Sequence, residues 1–270
     1  LRAENHGLHT NRVMPRLKET PSWHGLSVVW TSPKGVVLHI GSTANALAAA
    51  AEPSPSGLAV RHVVSVGKSR NARLVRAALS SGPVGAAHHA WEMIDRMSAE
   101  DEVEVDEQNP ALPLLCRAFA ACEADAGCAG DRAGAAAARA AVLLHCDMGH
   151  NRSPALALAF LLSRGLTLRA AYRALLAGRS TVDPLPSYRR ALRRVELVLH
   201  GRSTVDGTEP WAMHLSELLA GGELDDFEAA WGRKERAIAD LLVEDESHSP
   251  SRTQLPVSPP TSPRAALEST

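Results

Sequence analysis

AVLLHCDMGHNRSPALALAFLL, residues 141–162, is the stretch from which the rest of the chain is read. Val142 to Leu144 form a short apolar run of the kind a buried strand shows, and Gly149 sits in the loop that follows. Ser153-Pro154 opens an apolar helical segment, because proline is tolerated in the first turn of a helix. A strand thus delivers Cys146 to the amino end of a helix.

Backbone N–H groups curling into a helix N-terminus form a concave site for anions. The same field favours the thiolate form of Cys146. Arg152, six positions on, can reach back across the loop and fork two N–H bonds onto a phosphate or another oxyanion. Nucleophile and phosphate cradle are then a single loop.

The stretch resembles the signature of cysteine-dependent protein phosphatases, in which Cys, five residues, Arg and a Ser or Thr make the phosphate loop. His145, Cys146, Gly149, Arg152 and Ser153 match it. The resemblance is to the dual-specificity phosphatases and extends over about residues 36–200. Its opening part is VVLHIGSTANAL, for a strand, Ile-Gly-Ser and a helix, followed by RHVVSV for the next strand. Its closing part is RSTVDPLPSYRRALRRVE, where Tyr188 takes the aromatic position and Asp183-Pro184 stands in place of Pro-Asn.

At 270 residues and 45% apolar content the chain can bury a sizeable core, although aromatic residues make up only 4%. The net charge of −1 gives no overall bias towards nucleic acid or an anionic membrane. The four cysteines, Cys116, Cys122, Cys128 and Cys146, do not suit a secreted disulfide scaffold, and no zinc-type spacing accompanies them. A reducing compartment is expected. No run approaches the roughly 20 apolar residues of a membrane span. Because position 1 is Leu1, the natural amino terminus is expected further upstream.

Strand and helix signals alternate along the chain: strands at Leu26 to Trp30, Val36 to Ile40, Arg61 to Gly67 and His88 to Asp95, helices at Asn45 to Ala51 and Ala72 to Ser80. This order predicts an α/β fold with a central, mainly parallel sheet of four to five strands flanked by helices, like that of protein tyrosine phosphatases. Glu100 to Glu107, with six carboxylates in eight residues, reads as a solvated loop. Leu112 to Ala124 reads as a helix and Asp125 to Ala138 as an insertion. Leu166 to Leu176 and Leu185 to Leu199 have helical spacing with basic outer faces. The expected organisation is a flexible segment over 1–25, a catalytic domain over 26–200, a helical extension over 201–243 and a disordered Ser/Pro-rich tail over 244–270.

The resemblance implies that Cys146 attacks phosphorus to form a cysteinyl-phosphate, which water then hydrolyses. Arg152 and the amides of Asp147, Met148, Gly149, His150, Asn151 and Arg152 would hold the phosphoryl oxygens. Ser153 would ease departure of the sulfur, with helix capping as its ordinary alternative. His145 would orient the loop. Asp147 is expected to face outward, because a carboxylate beside the sulfur opposes its ionisation. No metal or other cofactor is required.

The family takes the leaving-group proton from an Asp after the strand preceding the signature. Asp95 fits best, since Trp91 and Met93 alternate along that strand and Asp95 closes it. Its 51-residue separation from Cys146 is long for the family, but extra loop length costs little free energy. Asp106 is the rival, with Asp101 and Glu107 behind it.

The expected activity is a phosphoprotein phosphatase acting on phosphotyrosine and phosphoserine/threonine, with protein kinases among its conceivable substrates. The rivals are a phosphatase of phosphoinositides, RNA 5′ ends or glucans, and a phospho-binding pseudophosphatase. A lipid-type pocket favours Lys in the loop, where DMGHN has none, and pseudophosphatases usually lack the Cys or the Arg. The expected location is cytoplasmic, with the nucleus as alternative.

Overall fold

Pro33-Lys34-Gly35 turns one apolar run back on the next. Ser32 Oγ accepts the Lys34 and Val36 amides, both at 3.2 Å, and Gly35 takes a φ of +80° that side chains disfavour. The result is an antiparallel pair, β1 (Ser27–Thr31) and β2 (Val37–Gly41). The computed structural model describes residues 26–52, 58–93, 95, 105, 109–129, 139–220 and 227–243.

There follow α1 (Thr43–Ala51), β3 (Leu58–Ser65), α2 (Ser69–Ser81), β4 (Ala87–Ala90), α3 (Ala111–Ala129), β5 (Arg139–His145), α4 (Arg152–Ser163), α5 (Leu168–Gly178), α6 (Pro186–His200), α7 (Leu215–Ala220) and α8 (Phe227–Val243). The sheet order is β1-β2-β5-β3-β4, and every pairing except β1 with β2 is parallel. The mainly parallel sheet of four to five strands expected from the sequence is present, with five strands.

β5 sits in the middle, paired on both sides. Its side chains alternate between two layers, as strand geometry requires. Ala141 and Leu143 join Val37, Val60 and Val63 beneath α1 and α2. Val142 and Leu144 join Leu38, Ile40 and Val64 beneath the helices on the opposite face. A strand buried on both faces reads as continuous apolar sequence, which is why this run stood out.

α4 is buried from Arg152 to Leu162, with its last residue, Ser163, exposed. Each of its leucines contributes about 1.5–3 kcal/mol by leaving water. Phe160 meets Trp30 and Phe119 at centroid distances of 5.9 and 5.0 Å, joining α4 to β1 and α3. Buried Glu196 of α6 accepts from the Leu168 amide at 2.6 Å, at the free amino end of α5, and from the Thr204 amide at 2.7 Å. Val205, Trp211, Ala212, Ile238 and Leu241 all lie in the same core as α4, so the segment after α6 packs into the body of the fold.

Several sequence expectations need correction. β4 ends at Ala90, so Trp91 and Met93 do not alternate on a strand: Trp91 is 44% exposed and Met93 is buried in the core. The helix expected to stop at Ala124 runs to Ala129, taking up the start of the supposed insertion. Arg189 does not lie on an outer basic face of α6 but is buried, paired with Glu217 of α7. The acidic run 100–107 lies outside the described residues except Val105, which is buried in the core. The segments 1–25 and 244–270 lie outside them too.

Candidate active site

Register brings the carboxyl ends of three strands level. Gly41 of β2 and Ser65 of β3 both lie opposite His145 of β5. Such an edge is where open α/β sheets bind ligands. Cys146 is the next residue, and the chain runs through 147–151 into α4.

The loop's carbonyls are turned outward and held there. The Cys146 carbonyl accepts from Thr43 Oγ1 at 3.3 Å, the Asp147 carbonyl from the Thr43 amide at 3.2 Å. The Met148 carbonyl accepts from Arg179 Nη2 at 3.2 Å and the His150 carbonyl from the Asp183 amide at 2.8 Å. In a planar trans peptide the C=O and the following N–H point in opposite directions. Fixing these four carbonyls outward therefore aims the amides of Asp147, Met148, Gly149 and Asn151 inward, a concave nest for an anion. The Gly149 amide accordingly donates to Cys146 Sγ at 3.2 Å. Gly149 has a φ of +74°, and a Cβ there would stand 2.8 Å from the Gly41 carbonyl. Only glycine fits that close approach.

Ser153 Oγ donates to Cys146 Sγ at 3.3 Å. The residue capping α4 is Asn151, without a side-chain cap bond, so the Ser153 hydroxyl serves the sulfur and not the helix end. Asn151 ties two other segments to the loop, accepting from the Leu185 amide at 2.8 Å and donating to Asp95 Oδ1 at 2.5 Å.

His145 is buried, and its Nδ1 lies 3.4 Å from the Cys146 carbonyl. A carbonyl only accepts, so Nδ1 carries the proton and Nε2 is left to accept from Ser65 Oγ at 2.6 Å. Ser65 Oγ in turn accepts from His88 Nε2 at 2.8 Å, and His88 Nδ1 accepts from Arg76 Nε at 3.4 Å. The chain of donors runs from α2 across three strands to the nucleophile's own carbonyl. It requires neutral imidazoles, and burial pushes His145 and His88 from 6.5 down to about 4.

His39 is also pushed to about 4 by burial, and neither of its ring nitrogens has a hydrogen-bond partner among the described residues. These three groups bind fewer protons folded than unfolded between pH 6.5 and about 4. Their contribution is fully present above 6.5 and is lost as pH falls through that window. Urea unfolding at pH 7.5 and at pH 5 checks this: the midpoint falls at the lower pH, and a His39→Leu variant shows a smaller fall.

The Arg152 guanidinium is 7% exposed and already engaged. Nη2 donates to Asp147 Oδ2 at 2.8 Å and Nη1 to the Met93 carbonyl at 3.2 Å. Nε lies 3.2 Å from Asp95 Oδ1, an ion-pair contact without hydrogen-bond geometry. Asp147 therefore does not face outward as expected from the sequence. Its carboxylate takes up a bond from Arg152, and another from Asn71 Nδ2 of α2 at 2.7 Å.

The two carboxyls beside Arg152 are driven apart. Burial pushes Asp147 up, but the Asn71 and Arg152 hydrogen bonds and the Arg152 charge outweigh it and hold the group below the usual carboxylate range. Burial pushes Asp95 up more than the Arg152 charge pulls it down, and ionised Asp147 pushes it up further. The two carboxyls that flank one guanidinium are shifted in opposite directions, Asp147 down and Asp95 up, the kind of divergence that sorts anion from acid in catalytic sites.

The structure thus gathers Cys146, Arg152, Ser153, His145 and Asp95 in one place. Asp106, Asp101 and Glu107 lie outside the described residues. Burial raises the thiols of Cys116 and Cys122, the latter to about 11, so both are neutral; the side chain of Cys128 is outside the described residues. Sequence reasoning gave no site role to Ser65, Asn71, Thr43 and Arg179: the first three were signalled only by a polar residue at or near the end of an element, and Arg179 only as the first residue of the quoted stretch RSTVDPLPSYRRALRRVE. Among the described residues no group of three or more His, Cys, Asp or Glu side chains could hold a metal ion, and no helix is long and apolar enough to cross a membrane.

Residues 133–197 match the family model for the catalytic domain of dual specificity phosphatases, a span running from before β5 into α6. This supports the family reading of the signature and, at that level, a cysteine phosphatase domain. Solved structures similar to the chain include human DUSP28, with 24% identity over 65% of this chain and 95% of that one, at a TM-score of 0.42. A leucine rich repeat and phosphatase domain containing protein from Entamoeba histolytica has 13% identity over 66% and 94%, at 0.44. PTPMT1 in complex with PI(5)P has 14% identity over 66% and 97%, also at 0.44. No curated protein matches the chain.

Proposed function

We propose that the chain is a phosphoprotein phosphatase of dual specificity, removing phosphate from tyrosine and from serine or threonine through a cysteinyl-phosphate. The observation that carries the reading is one sulfur receiving the Gly149 amide and the Ser153 hydroxyl, inside a loop whose outward carbonyls aim further amides at the same concavity. A bound phosphoryl group would take Arg152 from Asp147 and Asp95, which occupy it here.

In the first step Cys146 Sγ forms a bond to phosphorus as the ester P–O bond breaks, and Asp95 gives its proton to the departing oxygen. The equatorial oxygens rest on the loop amides and Arg152. In the second step Asp95, now ionised, takes a proton from water as the water oxygen attacks phosphorus. The S–P bond breaks, the Ser153 hydroxyl stabilises the sulfur leaving as thiolate, and inorganic phosphate departs.

Replacing Asp95 by Asn separates two kinds of substrate. A phosphoserine peptide, whose alkoxide leaves poorly, is expected to lose on the order of 10²–10⁴-fold in kcat. An aryl phosphate with an acidic phenol loses far less. Equal losses on both would remove Asp95 from the proton-donor role. For the substrate class, purified protein is expected to turn over phosphopeptides faster than phosphoinositides, with Cys146→Ser as blank. The reverse order would move the site to lipids.

A further inference from the structure

The segment joining α5 to α6 touches the signature loop at three points: Arg179 on the Met148 carbonyl, the Asp183 amide on the His150 carbonyl, and the Leu185 amide on Asn151 Oδ1. Two of these set peptide planes whose N–H groups face the sulfur side. The middle contact belongs to a residue with a buried carboxylate, only 6% exposed.

That carboxylate is held from the far end of the chain. Lys234 Nζ, on α8, lies 2.5 Å from Asp183 Oδ1 and also donates to the Met213 carbonyl at 2.5 Å. The Leu215 amide reaches Asp183 Oδ2 at 3.3 Å, and His214 Nε2 lies 3.4 Å from it. Lys234 is 1% exposed, among the most deeply buried cations described. A buried ion pair is a poor way to gain stability, since an apolar pair of the same volume does as well or better. Removing one member is different: it leaves an uncompensated charge that must find water or move. Here the charge that would move is one residue's backbone away from the anion nest.

We infer that Lys234 is a positioning residue for the phosphate loop. It pins Asp183, whose amide fixes the His150–Asn151 peptide so that the Asn151 N–H faces the oxyanion. This rests on the phosphatase reading of the loop and adds to it a role for the segment after α6. Neither residue touches substrate; both act through the His150 carbonyl.

The test uses the full chain with Lys234→Met and with Asp183→Asn/Lys234→Met, reading orthovanadate affinity, kcat and KM on an aryl phosphate, and the thermal midpoint. Lys234→Met is expected to weaken orthovanadate binding about tenfold or more, the scale of a displaced catalytic group. The double variant keeps an acceptor for the Leu215 amide without the orphan charge, and is expected to recover most of that affinity. A role in stability alone would lower the thermal midpoint and leave orthovanadate affinity as in the wild type, which overturns the inference. So does a folded double variant that binds orthovanadate about tenfold or more below the wild type, a comparison that holds even if Lys234→Met does not fold. A wild type that binds orthovanadate without hydrolysing any ester would instead sink the phosphatase reading and leave the positioning role to the affinities.

Discussion

Cys146→Ser is expected to lower kcat on every ester by at least about 10,000-fold, the scale of losing a covalent nucleophile. Orthophosphate affinity should remain close to wild type, because the loop carbonyls are fixed by Thr43, Arg179 and Asp183 and not by the sulfur. A serine hydroxyl also accepts from the Gly149 amide and the Ser153 hydroxyl, so the loop has no reason to collapse. Kinetics with an aryl phosphate and a phosphate titration by calorimetry check the two halves. Residual turnover within tenfold of wild type would place the nucleophile elsewhere.

Arg152→Lys is the second large effect. The guanidinium meets the Asp147 carboxylate, the Met93 carbonyl and Asp95 from three directions in a buried slot. A Lys ammonium carries the same charge but cannot fork onto two phosphoryl oxygens, and it is more strongly hydrated. Loss of a transition-state guanidinium costs on the order of 10³–10⁵-fold in phosphoryl transfer, so kcat/KM should fall by roughly 10³. A second signature goes with it. Arg152 pulls the Asp95 carboxyl down, so weakening that contact lets Asp95 rise further. The proton donor must be protonated, and the alkaline limb of the kcat profile therefore moves to higher pH. A Lys variant with wild-type rate and an unmoved limb would show that the fork is not used.

The strand, loop and helix from β5 into α4 were legible because local chemistry decides them: a doubly buried strand must be apolar throughout, and a glycine is needed where Gly149 meets Gly41. The same reasoning overextended β4. Its last ladder bond is the Trp91 amide to the Ser65 carbonyl, after which the chain turns to give the Met93 carbonyl to Arg152. Alternation in HHAWEMID cannot reveal that the partner strand stops. Asp147 was misread for a related reason: its like charge beside the sulfur was visible, but not that Asn71 and Arg152 would bind its carboxylate. Least legible was Lys234. In GRKERAIADLL a lysine reads as solvent-facing, and its burial depends on an aspartate 51 residues earlier in the chain. Only the folded packing of α8 against the body brings the two together.

Rapid acid quench of the wild type with a labelled aryl phosphate, followed by peptide mapping, tests the cysteinyl-phosphate most directly. One phosphoryl group is expected on the Cys146 sulfur, formed in a burst ahead of steady turnover and accumulating further in Ser153→Ala, where the thiolate loses its hydroxyl donor. Turnover with no label on the protein, or label on any other side chain, would contradict it.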